Sequence, residues 1–274
     1  MIFLRSISEI AGNFDAFIVD LWGVVHDGQK LYPGVRETLQ KLRTQNKEII
    51  FLSNAPRRAW RVIEVLDQMQ IMPQYYNQVI TSGEVAFEHL SKNPIGKSYY
   101  SIGPERDAGL LDGSSYRRVK TPKDADFAIV TGFDDDSSVL DENLPELKDC
   151  YKAGLPFICT NPDMEIVRQN GTRALCAGVM AEAYEKMGGK VIYFGKPYPT
   201  VYDRCFEVFK TKDKAKIAAI GDNLETDIKG ANAAGIYSIF ITGGVMAKEA
   251  ATSGMETIFK KHRVTPAAVI EAFK

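Results

Sequence analysis

Short runs of β-branched and aliphatic residues alternate with segments of helical period near both ends of this 274-residue chain. That alternation constrains the fold more than any other feature. Residues 16–19 (AFIV) read as a buried strand, followed by a loop over 20–34. A helix then shows its apolar positions Val35, Leu39 and Leu42 at helical spacing, with Pro33 near its start. Residues 48–52 (EIIFL) read as a second strand, 59–69 as a second helix, and Val79-Ile80 as a short third strand. The pattern returns late in the chain. Strands are expected at 191–194, 216–220 and 237–241, helices at 200–210 and 226–234, and a closing helix at 267–273. Strands separated by helices imply a parallel sheet covered on both faces. Such sheets carry their chemistry in loops at the carboxyl ends of the strands.

Between residues 81 and 184 the texture changes, with turn clusters at 93–96, 112–115 and 132–136. This stretch reads as a second α/β domain inserted into the first, so that residues 1–80 and 185–274 form one discontinuous domain. With 45% hydrophobic residues the chain has material for sizeable cores. Its 34 basic and 35 acidic residues give a net charge of −1 and no overall field for nucleic acid or an anionic membrane. The opening residues carry only a very short apolar run, broken by Arg5 and Glu9, so no signal peptide is expected. No apolar stretch approaches the roughly 20 residues of a membrane span. Cys150, Cys159, Cys176 and Cys205 are scattered without metal-ligand spacing, as expected of reduced, buried thiols in a cytoplasmic protein.

Four of the strand-end loops carry chemistry. Asp20 opens DLWGVV after the first strand, where Gly23 frees the backbone. Ser53 and Asn54 follow the second strand and could cradle a phosphate at a helix start, although Ser-Asn is also an ordinary N-cap. Lys196 stands between Gly195 and Pro197, placed to neutralise an anion. Asp222 and Asp227 flank a helix start in GDNLETD, offering the hard oxygen ligands that Mg²⁺ takes. Singly each has a plain structural reading. Together they are complementary: carboxylate, hydroxyl, lysine, then two carboxylates.

In this order DLWGVV, FLSN, GKPYPTVY and GDNLETDIKGANAAG resemble the four motifs of the haloacid-dehalogenase (HAD) superfamily. The insertion after the second motif, with Thr160-Asn161-Pro162-Asp163 inside it, resembles the NagD-like class IIA. The resemblance implies a HAD-like Rossmannoid three-layer core with an inserted α/β cap. It implies a Mg²⁺-dependent phosphohydrolase working through an aspartyl-phosphate on a small phosphorylated metabolite, such as a sugar phosphate or nucleotide monophosphate. Asp20 would be the nucleophile. The metal would be held by Asp20, the Trp22 carbonyl and Asp222, while Asp227 supports the metal shell or Lys196. Ser53 and Lys196 would grip the phosphoryl oxygens, with help from Asn54. The cap would choose the substrate, and caps of this kind can supply a homodimer surface.

One departure stands out. Phosphatases of the superfamily usually carry a second aspartate two positions after the nucleophile, as general acid and then base. Here that position is Trp22, whose indole cannot shuttle a proton at neutral pH. His26 and Asp27 are the nearest substitutes in sequence. The change leaves two alternatives: a phosphonate-type hydrolase, or a catalytically weak protein that binds a phosphate ligand. Other motifs lead nowhere. Gly96-Lys97-Ser98 lacks the earlier glycine of a P-loop, because Ser91 stands there. Asn170-Gly171-Thr172 fits a glycosylation acceptor, and residues 134–136 read as an acidic surface turn.

Overall fold

The fold is described from a computed structural model covering residues 1–135, 137–167 and 172–274. Asp136 of the acidic turn and Asn170-Gly171 of the acceptor sequence lie outside the described residues. In chain order the strands are Ile2–Leu4 (β1), Ala16–Val19 (β2), Glu48–Ser53 (β3), Gln78–Thr81 (β4), Ser98–Ile102 (β5), Arg117–Val119 (β6), Phe127–Val130 (β7), Phe157–Cys159 (β8), Glu165–Val167 (β9), Arg173–Leu175 (β10), Val191–Tyr193 (β11), Ile217–Gly221 (β12), Tyr237–Ile241 (β13) and Ala268–Ile270 (β14). The chain divides into two compact units, residues 1–53, 62–80 and 196–274, and residues 54–61 and 81–195.

The first unit is built on a seven-stranded sheet in the order β1-β14-β13-β12-β2-β3-β4, with every neighbouring pair from β1 to β3 parallel. Its central strands are buried along their whole length, as a sheet covered on both faces requires. Covering helices turn in the stripes that the sequence spacing predicts. Val35–Thr44 (α1) buries Val35, Leu39 and Leu42, and Ala59–Gln68 (α2) buries Val62 and Leu66. From β2 the chain first steps outward through β3 and β4, then returns to the other side of β2 with β12, β13 and β14. The switch point lies between β2 and β12, where a doubly wound sheet opens a crevice at its carboxyl edge.

The predicted closing helix is instead strand β14, which pairs in parallel with both β1 and β13. Its Ala268, Val269 and Ile270 are all buried, and a short run of consecutive apolar residues does not separate strand from helix by period. The pairing partner β1 comes from the opposite end of the chain, so no local signal announces it. The helix predicted over 226–234 also begins differently. A π-helical turn spans Leu224–Ile228 before the regular helix Lys229–Ala234.

The second unit holds a five-stranded sheet, β11-β8-β7-β5-β6, all parallel, and a small antiparallel ribbon of β9 and β10. Residues 191–193 form the expected strand, but they pair with β8 in this sheet rather than in the first. Its core gathers Phe157, Tyr184, Leu147 and Met180, with Tyr184 stacked on Phe157 at 4.4 Å and its hydroxyl donating to the Leu155 carbonyl. All four cysteines are buried free thiols. Burial pushes the Cys150 and Cys159 thiols up to about 12, which keeps them protonated.

Residues 54–61 join the second unit through the first turn of the helix Ser82–Lys92. Ser82 Oγ donates to the Ala55 carbonyl, and Thr81 Oγ1 to the Arg57 carbonyl. Glu84 accepts from both Arg58 Nε at 3.0 Å and the Ala59 amide at 2.8 Å. Because a carboxylate accepting two such bonds contributes more than neutral pairs, Glu84→Ala is expected to cost about 1–2 kcal/mol. It should also speed hydrogen exchange at the Ala59 amide, measured by NMR, while amides in β7 and β8 keep their protection.

Candidate active site

Strand register brings the predicted residues together at the carboxyl edge of the first sheet. Val19 pairs with Phe51 on one side and with Ile220 on the other. The side chains just beyond, Asp20, Ser53 and Asp222, therefore emerge at one edge and around one switch point. All three are buried, as are Lys196 and Asp227.

Lys196 links two of the acids. Its Nζ donates to Asp20 Oδ1 at 2.5 Å and to Asp227 Oδ1 at 2.7 Å. Asp227 is aimed inward by the π-helical turn, which lets its Oδ2 accept from the Asn223 amide at 3.2 Å. Asp222 Oδ2 accepts from the Val245 amide at 2.6 Å. Oxygens of Asp20, Asp222 and Asp227 lie within 4.8 Å of one another. Three carboxylates with one ammonium leave an excess of negative charge in a buried place. Burial first, then the charges of Asp20 and Asp227, hold the Asp222 carboxyl well above the ordinary carboxylate range.

Glycines make room for this crowding. Gly23 sits at φ +85°, and a Cβ there would collide with the Asp222 carboxylate. Gly244 approaches the same carboxylate from the loop after β13, where any side chain would likewise collide. Neither Gly244 nor the Val245 amide could be found from sequence, because both act through backbone. Tyr202 is a further buried neighbour, its hydroxyl donating to the Asp227 carbonyl at 3.3 Å.

The donor set fits a hard divalent cation: clustered carboxylate oxygens, no soft ligand, and uncompensated negative charge. Asp20 and Asp222 could supply carboxylate ligands, and the Trp22 carbonyl lies in the same loop.

The loop after Asp20 folds back on itself. Gly23 donates to the His26 carbonyl, and the His26 amide to the Leu21 carbonyl. The half-buried Trp22 indole lies against Gly28 and meets the His26 ring edge-on at 5.9 Å. Both sequence substitutes for the missing acid make hydrogen bonds within this loop. His26 Nδ1 accepts the Gly28 amide at 3.0 Å, and burial pushes its pKa down to about 4, against the pull of Asp27. Asp27 Oδ1 accepts from the Gln29 and Lys30 amides, closing a turn.

Asn54 clusters with the second unit, not with the five residues above. Its side-chain amide donates to Asp163 Oδ1 at 3.0 Å. Asp163 belongs to the Thr160-Asn161-Pro162-Asp163 stretch noted in the sequence.

The fold and chemistry have known counterparts. Residues 17–117 match a family described as haloacid dehalogenase-like hydrolase, and residues 193–272 one described as HAD-hydrolase-like, together about two-thirds of the chain. An acid sugar phosphatase of Staphylococcus saprophyticus is 25% identical over 240 residues, covering 86% of this chain and 90% of the relative. A haloacid dehalogenase-like hydrolase from Brucella suis superposes with a TM-score of 0.88 at 28% identity, over 99% of this chain and 100% of the other. A 4-nitrophenylphosphatase from Thermotoga maritima does so with a TM-score of 0.76 at 26% identity, over 96% of each chain.

The raised Asp222 pKa makes a signed prediction. A carboxyl whose folded pKa lies above its unfolded value binds more protons when folded, so it costs stability as pH rises through that range. In EDTA, Asp222→Asn is expected to melt higher than the wild type at pH 8, and the gap should close toward pH 4. Mg²⁺ should raise the melting temperature of the wild type at pH 8 and leave the variant nearly unmoved. Calorimetric scans at several pH values check both signs.

Proposed function

The chain belongs to the haloacid dehalogenase-like hydrolases, in their NagD-like class, and on that premise we propose that it is a Mg²⁺-dependent phosphatase of small phosphorylated metabolites. The observation that carries the reading is the buried cluster of Asp20, Asp222 and Asp227 around Lys196, at the switch point of a parallel sheet. A sugar phosphate is the favoured substrate class, supported by the name of the Staphylococcus relative, with nucleotide monophosphates as the second class. Free buried thiols are in keeping with a cytoplasmic setting. A homodimer built through the cap is part of the same reading.

In this mechanism the Asp20 carboxylate attacks phosphorus, the P–O bond to the leaving group breaks, and an aspartyl-phosphate forms. Water then attacks phosphorus, the bond between phosphorus and the Asp20 oxygen breaks, and phosphate leaves with the proton given up to it or to solvent, regenerating the Asp20 carboxylate. Lys196 and Ser53 hold the phosphoryl oxygens as charge shifts in the transition state, and Asn54 adds a donor from the adjoining residue. Asp227 holds Lys196 in place. Asp20, Asp222 and the Trp22 carbonyl would hold Mg²⁺, which when bound offsets the carboxylate charge and that of the phosphoryl group.

Trp22 shapes the chemistry. With the indole packed on Gly28, and with His26 Nδ1 and Asp27 Oδ1 bonded in the loop, the position of the usual second aspartate offers the leaving group no proton. General acid help contributes roughly 10²–10⁴-fold, so esters with good leaving groups gain most from this site. Trp22 also favours a second reading: a protein that binds a phosphate ligand with little turnover. A phosphonate-type hydrolase is the remaining alternative, since it too would lack the second aspartate.

Phosphate release from paired aryl and alkyl phosphates, with Mg²⁺ and with EDTA, tests these readings. The phosphatase reading expects turnover that requires both Mg²⁺ and Asp20, is abolished in Asp20→Asn, and favours aryl over alkyl esters by about 10²-fold or more. Mg²⁺-dependent binding of a sugar phosphate without release supports the binding protein instead. Release from phosphonates alone supports the third.

A further inference from the structure

The second unit has a switch point of its own. In the spatial order β6-β5-β7-β8-β11 the chain reverses direction between β5 and β7. Open parallel sheets take ligands outside the carboxyl ends of the strands flanking such a point. Here those ends are Ile102 and Val130, followed by Gly103-Pro104-Glu105-Arg106-Asp107 and by Thr131-Gly132-Phe133. The two loops come close together. Gly103 lies at φ +133°, and a Cβ there would collide with Thr131 Oγ1.

Charge at this edge is unbalanced. Asp107 is 5% exposed, and burial holds its carboxyl above the usual carboxylate range against the pull of Arg57, Arg106 and Arg61. Arg57 Nη2 stands 3.1 Å from its Oδ1, Arg106 Nε 3.8 Å from its Oδ2, and Arg61 adds its field from the same side-chain group. Neighbouring acids are engaged elsewhere: Glu105 faces Arg118 at 3.6 Å, and Glu84 holds Arg58 at 3.0 Å. One carboxylate thus pairs with two guanidinium groups and feels the field of a third. Arg57 is fixed by its backbone, through the Thr81 bond, and its Nε is buried with no hydrogen-bond acceptor among the described residues, while Asp107 Oδ1 holds the guanidinium by charge without a hydrogen bond. A buried donor of that kind costs stability unless something accepts from it. Arg61 and Arg106 meanwhile are exposed. The guanidinium fork suits a planar or tetrahedral oxyanion, which it can bind through two parallel bonds.

We propose that Arg57, Arg61 and Arg106, gathered around Asp107 at the β5/β7 switch point, form a binding site for the phosphate or carboxylate group of a small molecule. Asp107 acts as the inner anchor that holds Arg57 and Arg106, and the anion takes the donors they keep in reserve. This site is separate in its residues from the carboxylate cluster and does not depend on the phosphatase reading.

Calorimetric titration of inorganic phosphate into the full chain, in EDTA and at low ionic strength, tests it. Without metal, the Asp20, Asp222 and Asp227 carboxylates repel an anion, so binding reports on the arginines. The wild type should bind phosphate, and the double variant Arg61→Ala, Arg106→Ala should bind at least tenfold more weakly. Both positions are exposed, so the variant should keep the wild-type circular dichroism spectrum. Ser53→Ala should bind as the wild type does. No binding by the wild type, or equal binding by the double variant, overturns the proposal. Two sources of the anion are then separated in Asp20→Asn with Mg²⁺, by comparing a sugar bisphosphate with its monophosphate. Tighter binding of the bisphosphate that the double variant loses makes the anion part of the same ligand. Equal affinities, with phosphate binding retained, make it a separate small molecule.

Discussion

Lys196 bridging Asp20 and Asp227, with Asp222 close by, is the interaction around which the first unit is organised. Buried charges are costly unless they are paired and hydrogen-bonded, and here one ammonium pairs with two of three clustered carboxylates. Several features of the backbone exist in register with that cluster. The pairing of β2 with β3 and β12 puts Asp20, Ser53 and Asp222 at one edge. The π-helical turn aims Asp227 at the lysine, and Gly23 and Gly244 leave space for Asp222. The Val245 amide and the Asn223 amide supply the remaining hydrogen bonds. What stays uncompensated is negative charge on clustered oxygen atoms, which is what a divalent cation would balance.

Much of this was legible in the sequence, for a physical reason. A parallel sheet writes its strands as short apolar runs and its chemistry as polar residues directly after them, so Asp20, Ser53, Lys196 and Asp222 stand out. What depends on distant pairing was not legible. β14 resembles the end of a helix until β1 is placed beside it, and 191–193 reads as a strand without revealing that β8 is its partner. The inward aim of Asp227 needed a π turn that no residue pattern announces. Asn54 reads as a continuation of Ser53, yet its amide is held by Asp163, more than a hundred positions later. Backbone donors such as Val245 leave no mark at all.

Two doubly wound sheets in one chain put two switch points at its disposal, and their chemistry is opposite. The first gathers acids around one lysine; the second gathers arginines around one acid. On the proposed phosphatase reading, Trp22 stands where a second aspartate is expected. Its side chain replaces a proton carrier with an apolar contact inside the loop, while the backbone carbonyl that a metal would use is unchanged. On that reading the consequence falls on the leaving group rather than on the assembly of the site.

The most direct measurement is a crystal structure of the protein grown with Mg²⁺ and beryllofluoride, a tetrahedral mimic of a phosphoryl group on a carboxylate. The account predicts continuous density from the Asp20 carboxylate to beryllium, its fluorides within hydrogen-bond distance of Lys196 and Ser53. It also predicts Mg²⁺ bound by Asp20, Asp222 and the Trp22 carbonyl. Beryllofluoride seated elsewhere, or a metal bound without Asp222, would contradict it.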